Sequence, residues 1–520
     1  MPVISLSETG VVGLNFDIPP TELTPPAWTS GKNIRFQDGS AMPVRGDAAI
    51  LGTSPFQPIW AFPFAESLYD TVAWILPGTD AVQAFYNDTL YDITNALGPY
   101  TGDVEDRWSG GALGGLFILN NGVDKPQVWP ELNVTTELID LANWPANTTA
   151  KCVRSFKNFL IALDVTKTSV RYRTMVKWSH PADPGFVPAS WDETDTTKDS
   201  GEYSLTETAS ACVDAVPLKD NLIIYKEDSV WGMQYVGGTF IFRFYKIFGD
   251  FGMPQRDCAV EFQSGSHIVF TGDDLILHDG NAAQSIATNK VRSLLRQISV
   301  PQLRSCYMVT HVARNEVWFC FRQQTDEAVY ADTALIYNWV DKTFGIRALA
   351  DYYCMVAGRI SPDPLLWQEA TYPWQTAQQE WDELSRESSI PRLLAVGPDF
   401  LYWTDVTQYI AGQVTLERTH IGVAVKAQSP PDLSSMKFLR RIWPRLRGNA
   451  GQVVLVTLGH HNEPNESVIW ESPQQFVIGT TSKVDMTITG KMFALRLSSI
   501  NGTNWIFSGM DADMEFAGEN

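Results

Sequence analysis

The 520-residue sequence contains no apolar run close to the roughly 18 residues that a membrane-spanning helix needs, so no membrane span is expected. Charged residues are scarce at 19%, and basic ones scarcer still: 39 Lys and Arg stand against 59 Asp and Glu, a net charge of −20. That sign is wrong for gripping nucleic acid over a broad face, which argues against a dedicated DNA-binding role. Only six cysteines occur (Cys152, Cys212, Cys258, Cys306, Cys320, Cys354), none in a CxxC pair. This is too few for a disulfide scaffold, and buried free thiols are expected. The opening residues, MPVISLSETGVVGLNFDIPP, show neither the basic start nor the apolar stretch of a secretory signal. Helical periodicity is nearly missing; the two candidates are Trp374 to Ser388, closed by Pro391, and Asn289 to Gln297. Also missing are the phosphate-cradling glycine loops, a GxSxG elbow and an HExxH helix. No catalytic residue, cofactor or metal ligand is therefore assigned.

What is present is the punctuation of a β protein. With 37 glycines and 30 prolines, turns separate short runs rich in Val, Ile, Phe, Tyr and Trp. One apolar burst recurs: Thr71 to Ile75, Gly115 to Leu119, Asn158 to Leu163, Asn221 to Tyr225, His267 to Phe270, Glu316 to Phe321 and Asp399 to Trp403. Most bursts stand about 40 to 50 positions apart, the length of a four-stranded propeller blade. The bursts suit fully buried inner strands beside a channel, while Phe240 to Lys246 partly alternates as an outer strand would. The expected class is all-β: a β-propeller of six to eight blades with a small additional β platform domain built from the terminal segments. Residues 1–50, with Pro19-Pro20 and Pro25-Pro26, form an extended arm; residues 51–429 form the propeller, with insertions near 174–210 and 366–391; residues 430–520, beyond the stiff Ser429-Pro430-Pro431, form the platform.

Chemically suggestive residues are scattered. Of the seven histidines only His460 and His461 are adjacent, and neighbours on a strand point to opposite faces, which disfavours a shared metal. Gly272-Asp273-Asp274 suits a hairpin turn better than a cation site, and Arg45-Gly46-Asp47 is a short, chance-prone match to an adhesion tripeptide. Several of the 18 tryptophans sit in or beside strand bursts and are read as core rather than as a sugar platform. The one dense basic run is Lys437 to Arg447 (KFLRRIWPRLR). Strict alternation would put Lys437, Leu439 and Arg441 on one face and Phe438, Arg440 and Ile442 on the other. It reads either as a solvated edge strand or as a subunit contact made by Lys437, Arg440, Arg441, Arg445 and Arg447.

Three stretches together resemble the tail nozzle, or tail-tube stabilisation, proteins of short-tailed bacteriophages. The first is Gly13-Leu14-Asn15-Phe16-Asp17 with Trp28, Lys32 to Phe36, Asp38-Gly39 and Pro43 to Gly46; the second runs from Val170-Arg171-Tyr172 through Trp178-Ser179 and Trp191-Asp192 to Ser200-Gly201 and the strand Leu222 to Lys226. The third is Ile488-Thr489-Gly490-Lys491 with Trp505 and Gly509, where Lys491 departs from the Gly-Arg common in such proteins. The resemblance implies a propeller on a terminal platform, a homo-hexamer ringing the tail channel below the portal and adaptor, tail fibres as further partners, and DNA passing through the lumen without sequence-specific binding. It implies a place in the virion tail, assembled in the host cytoplasm. The alternatives are a β-propeller glycoside hydrolase, which requires two facing carboxylates, and a glycan-binding protein.

Overall fold

The computed structural model describes all residues other than 1–2, 51–55, 67–70, 87–88, 99, 132, 239, 264, 324–329, 359–390, 399–400, 408–409, 411, 423–431, 500–501 and 517–520. Strand makes up 53% and helix 3%, so the class is all-β. Among the described residues, seven four-stranded antiparallel units follow one another along the chain. The first five are separate sheets spanning Phe62 to Asp92, Ser109 to Asp140, Thr148 to Ser204, Cys212 to Phe248 and Ala259 to Ser285. In the sixth, Tyr307 to Tyr352, the last strand also pairs with Ile34–Gln37 and so merges with a larger sheet. The seventh takes three strands from Cys354–Gly358, Arg392–Val396 and Leu401–Thr404; its fourth is Ala48–Ala49, with Ala48 opposite Trp403 and Ala49 opposite Tyr402. The first strands of the second to seventh units lie side by side in turn, and that of the seventh lies beside that of the first.

Six of the apolar bursts are the second strand of a unit, not its first. Leu116–Asn120 and Glu316–Phe321 are buried along their whole length, because neighbouring units cover both faces. The first strands, not the bursts, lie against one another from unit to unit, and there space is short. Ser109–Leu113 reads Ser-Gly-Gly-Ala-Leu, and a Cβ on Gly111 would stand 2.8 Å from Ser155 Oγ of the next unit. In the seventh unit the second strand is Arg392–Val396, whose Leu393 to Val396 are buried; Leu401 to Trp403 belong to the third strand, and Asp399-Phe400 lie outside the described residues. Phe242–Phe248 is a fourth strand with partly exposed side chains.

The insertion expected over 174–210 is shorter. Val170–Trp178 and Gly201–Ser204 are strands three and four of the third unit, leaving 179–200 as the loop inside the unit and 205–211 as the link to the next. That loop is fixed by Trp191, buried with its ring 4.6 Å from that of Trp144, and by Lys177, whose ammonium meets Glu193 and Glu202. The helix expected over Trp374 to Ser388 lies outside the described residues, as does nearly all of the 366–391 insertion. Of Asn289 to Gln297 only one turn, Arg292–Leu295, is helical; Asp17 of the arm accepts hydrogen bonds from its Arg292 and Ser293 amides.

The two ends of the chain interleave in a two-sheet sandwich. One sheet runs Ile34–Gln37, Ser40–Pro43, Ile506–Phe516, Lys437–Arg447, Val484–Gly490, with Val3–Ser7 also on Ile506–Phe516. The other runs Ser30–Lys32, Val414–Ile421, Met492–Ser499, Val453–His461, Ile469–Trp470, with Gln474–Val477 also on Val453–His461. Between them lies a core of Leu14, Trp28, Phe36, Leu439, Ile442, Leu497, Trp505 and Phe507. Trp28 and Trp505 bury their rings and spend their N–H groups on Thr9 O and Ser499 Oγ, the usual requirement for a buried indole. The proline-rich part of the arm is pinned by Arg418, which donates to the carbonyls of Pro20 and Leu23. Burial lowers the pKa of that guanidinium to about 10.

Candidate functional site

The basic run Lys437 to Arg447 is a central strand, paired with Ile506–Phe516 on one side and Val484–Gly490 on the other, so the edge-strand reading is corrected. A bulge between Leu439 and Arg441 in both ladders breaks the alternation. It turns Ile442 to the buried face that already holds Lys437 and Leu439, and it leaves Arg440 and Arg441 both half-exposed. Lys437 is wholly buried and its ammonium is spent within the chain, donating to the carbonyls of Asp432 (2.7 Å), Ser435 (2.9 Å) and Lys491 (2.9 Å). Lys437 therefore cannot reach a neighbouring subunit. The remaining cations stay accessible: Arg440 bonds Glu515 and lies over Phe438, Arg441 stands near Asp485 and Asp513, Arg445 bonds Asp511 and Ser5, and Arg447 is exposed.

A buried ionic clasp joins the arm to the last two units. The Asp405 carboxylate receives two 2.9 Å hydrogen bonds from Arg35, one from the Arg45 amide and one of 3.2 Å involving His311. Arg314 and Arg347 approach it to 3.5 and 3.6 Å. Burial would raise this carboxyl, but Arg35, His311 and Arg347 together hold it well below the usual carboxylate range. Asp47 accepts from Arg347 and from the Tyr352 hydroxyl. The Arg45-Gly46-Asp47 tripeptide thus has its carboxylate tied inward, which does not suit an adhesion loop.

A second polar knot ties the entry segments of the units together. Arg107, just ahead of the second unit, donates to the carbonyls of Arg256 (2.8 Å) and Arg304 (2.6 Å), ahead of the fifth and sixth units. Arg256 donates back to the Arg107 carbonyl and also to that of Lys151. Arg154 forks onto Asp214 and reaches Asp257. Beside this knot lies a cavity of about 400 Å³, lined by Ile59, Trp60, Glu105, Arg107, Arg304, Arg322, Tyr330 and Tyr353 among others. The Arg107 guanidinium lies 5.4 Å over the Trp60 ring, and the Tyr330 and Tyr353 rings are 3.8 Å apart. Sequence reading missed this site, because its residues belong to, or stand just ahead of, four different units and gather only once those units are placed.

The other sequence candidates resolve locally. Asp274 accepts from the Leu275 amide and Ser285, and Asp273 from Arg292, as a turn and its anchor. His461 is buried with its ring 4.1 Å from that of His420, and no third ligating side chain joins the pair among the described residues, while His460 stands half-buried 3.8 Å from Glu471. Tyr225 shares its hydroxyl between His267 Nδ1 and His278 Nε2, each at 2.7 Å. All six cysteines are free and buried, and burial pushes the thiols of Cys152, Cys212, Cys306 and Cys320 up to about 12, far from nucleophilic. No three His, Cys, Asp or Glu side chains among the described residues converge as a metal site. No helix among them is long and apolar enough to cross a membrane. No family model and no curated protein sequence matches the chain.

Proposed function

We propose that the chain is a structural virion protein, the tail nozzle of a short-tailed bacteriophage, in which six copies ring the channel below the portal and adaptor, retain packaged DNA and conduct it at ejection. One observation carries the reading: seven four-stranded units stand in series over a sandwich that both chain ends build together. In the proposed architecture the units are blades of a seven-bladed propeller, closed by Ala48–Ala49 as the outer strand of the last blade, and the sandwich is the platform. The second and fifth members of a seven-membered ring do not adjoin, so the Arg107–Arg256 exchange would cross its centre. DNA would then pass between copies rather than through one. Six chains carry 6 × (−20) = −120 formal charges, and a lumen wall of that sign repels phosphates and lets a duplex slide. The exposed cations of the Lys437–Arg447 strand, Arg445 and Arg447 foremost, would face a neighbouring acidic copy or the adaptor.

The test is the mass of the purified protein by light scattering, with negative-stain images, alone and after adding the cognate portal–adaptor complex. A six-fold ring with a central channel, even if formed only on the adaptor, supports the nozzle. A monomer that ignores the adaptor overturns it and turns attention to the glycan-binding and glycoside hydrolase readings.

A further inference from the structure

We infer that His420 and His461 form a two-histidine site for a divalent transition-metal ion of the kind that takes imidazole ligands, Cu²⁺ or Zn²⁺, with water filling its remaining positions. Strand alternation separates His461 from its chain neighbour His460, but the sheet supplies another partner. Val414–Ile421 and Val453–His461 flank Met492–Ser499 on its two sides. A bulge between Arg418 and Ile421 interrupts the first of these ladders, and His420 sits in it with a left-handed φ of +56°. Its ring centroid stands 4.1 Å from that of His461. Metal–nitrogen bonds of about 2.0–2.1 Å put two ligating nitrogens about 3 Å apart, a separation that rings this close can meet.

The ring nitrogens are in the state that a metal requires. His420 Nε2 lies 3.0 Å from the Pro464 carbonyl oxygen. A carbonyl only accepts, so Nε2 carries the hydrogen and the neutral ring keeps its lone pair on Nδ1. That nitrogen is buried and has no hydrogen-bond partner among the described residues. A ring N–H given to a backbone carbonyl, with the other nitrogen bare, is the arrangement that fixes the tautomer and orientation of metal-bound histidines. His461 is 1% exposed, and both of its ring nitrogens are buried without a partner among the described residues. A neutral imidazole has one donor and one acceptor, and burying both unmet is costly unless something joins them. No third His, Cys, Asp or Glu side chain among the described residues completes the set, so the ion keeps open positions, unlike one in a closed four-ligand site. The nozzle reading assigns no metal to the sandwich, and the two proposals stand or fall separately.

Electron paramagnetic resonance of the intact, untagged chain, freed of metal with EDTA and then loaded with CuCl2, tests the site. Nitrogen splitting from two imidazoles is expected, falling to that of one in His420→Asn and in His461→Gln. Asn suits position 420 because it tolerates the left-handed backbone there. In calorimetric titrations of the metal-free chain with CuCl2 and with ZnCl2, one equivalent should bind, Cu²⁺ more tightly than Zn²⁺. Each variant should weaken Cu²⁺ at least about tenfold, the loss that follows removal of a mere outer partner of such a ligand. His460→Asn is the control: its Nδ1 stands 3.8 Å from Glu471, and its loss should leave Cu²⁺ binding unchanged. The spectrum of the unaltered chain needs no variant, so a variant that fails to fold does not remove the test. Absence of nitrogen splitting from that spectrum, unchanged affinity in both His420→Asn and His461→Gln, or equal weakening by His460→Asn overturns the assignment.

Discussion

Arg35 donates two parallel 2.9 Å hydrogen bonds to the carboxylate of Asp405, 370 positions further along the chain, with both side chains buried. This pair fastens the amino-terminal arm, which supplies the last strand of the seventh unit, to the strand end from which Asp405 emerges. Breaking it takes two short hydrogen bonds from a buried guanidinium and leaves it the more distant Glu316 carboxylate at 3.5 Å. Asp405→Asn is therefore expected to lower the unfolding free energy by about 3–5 kcal/mol, measured by urea titration. A loss below about 1 kcal/mol would mean that Glu316 and Asp47 take over the arginine charges. The pH dependence has a definite sign: the folded carboxyl titrates well below its unfolded value of about 3.9, so its contribution is full above that value and fades as pH falls below it.

Three histidines act over a different window. Burial lowers His267, His278 and His461 from 6.5 to about 4. Between those values the unfolded chain binds protons that the folded chain refuses, so stability present above about pH 6.5 is lost as pH falls toward 4. His461→Leu removes one of these protons and should flatten the slope of unfolding free energy against pH over that interval. An unchanged slope would show that His461 is protonated in the fold, against its burial and its contact with His420.

The class and the strand rhythm were legible in the sequence because a second strand covered on both faces must be apolar throughout, as Leu116–Asn120 and Glu316–Phe321 are. Their place in the sheet was not legible: burial alone does not distinguish a second strand from a first one, and the first strand Ser109–Leu113 is disguised by small residues. The seventh burst marks the third strand of its unit rather than the second, because Leu401 to Trp403 is, like Leu393 to Val396, an unbroken apolar run. The basic run was seen, but a bulge leaves no mark in a pattern of twos, so Ile442 was placed on the wrong face. The clasp and the cavity had no local signal, since Arg35 with Asp405 and Arg107 with Arg256 meet only through topology.

Gly13 opens the arm's passage across the sixth unit with φ +77°, and a Cβ there would stand 2.9 Å from the backbone N and O of Phe344. Both the left-handed conformation and the close approach require glycine. Gly13→Ala should cost about 1–3 kcal/mol in urea denaturation. Gly115→Ala is the control, because it shares a positive φ of 94° but meets nothing within 4 Å, and it should cost less. Equal losses at the two sites would mean that the arm shifts away from Phe344 without penalty.

The basic strand separates stability from assembly within one element. Lys437 satisfies three carbonyls from inside the fold, so Lys437→Met should destabilise the chain by about 1–3 kcal/mol through orphaned acceptors. Arg447 is exposed at the far end of the same strand, and Arg447→Glu should leave urea stability within about 0.5 kcal/mol. If that end of the strand faces an acidic neighbour, the same charge reversal should weaken ring formation on the adaptor, and raised salt should weaken it in the unaltered protein as well. Normal rings from Arg447→Glu, and from a variant that also carries Arg445→Glu, would place the subunit contact elsewhere on the molecule. The buried lysine cannot give that answer, since its loss disturbs the sandwich before any neighbour is met.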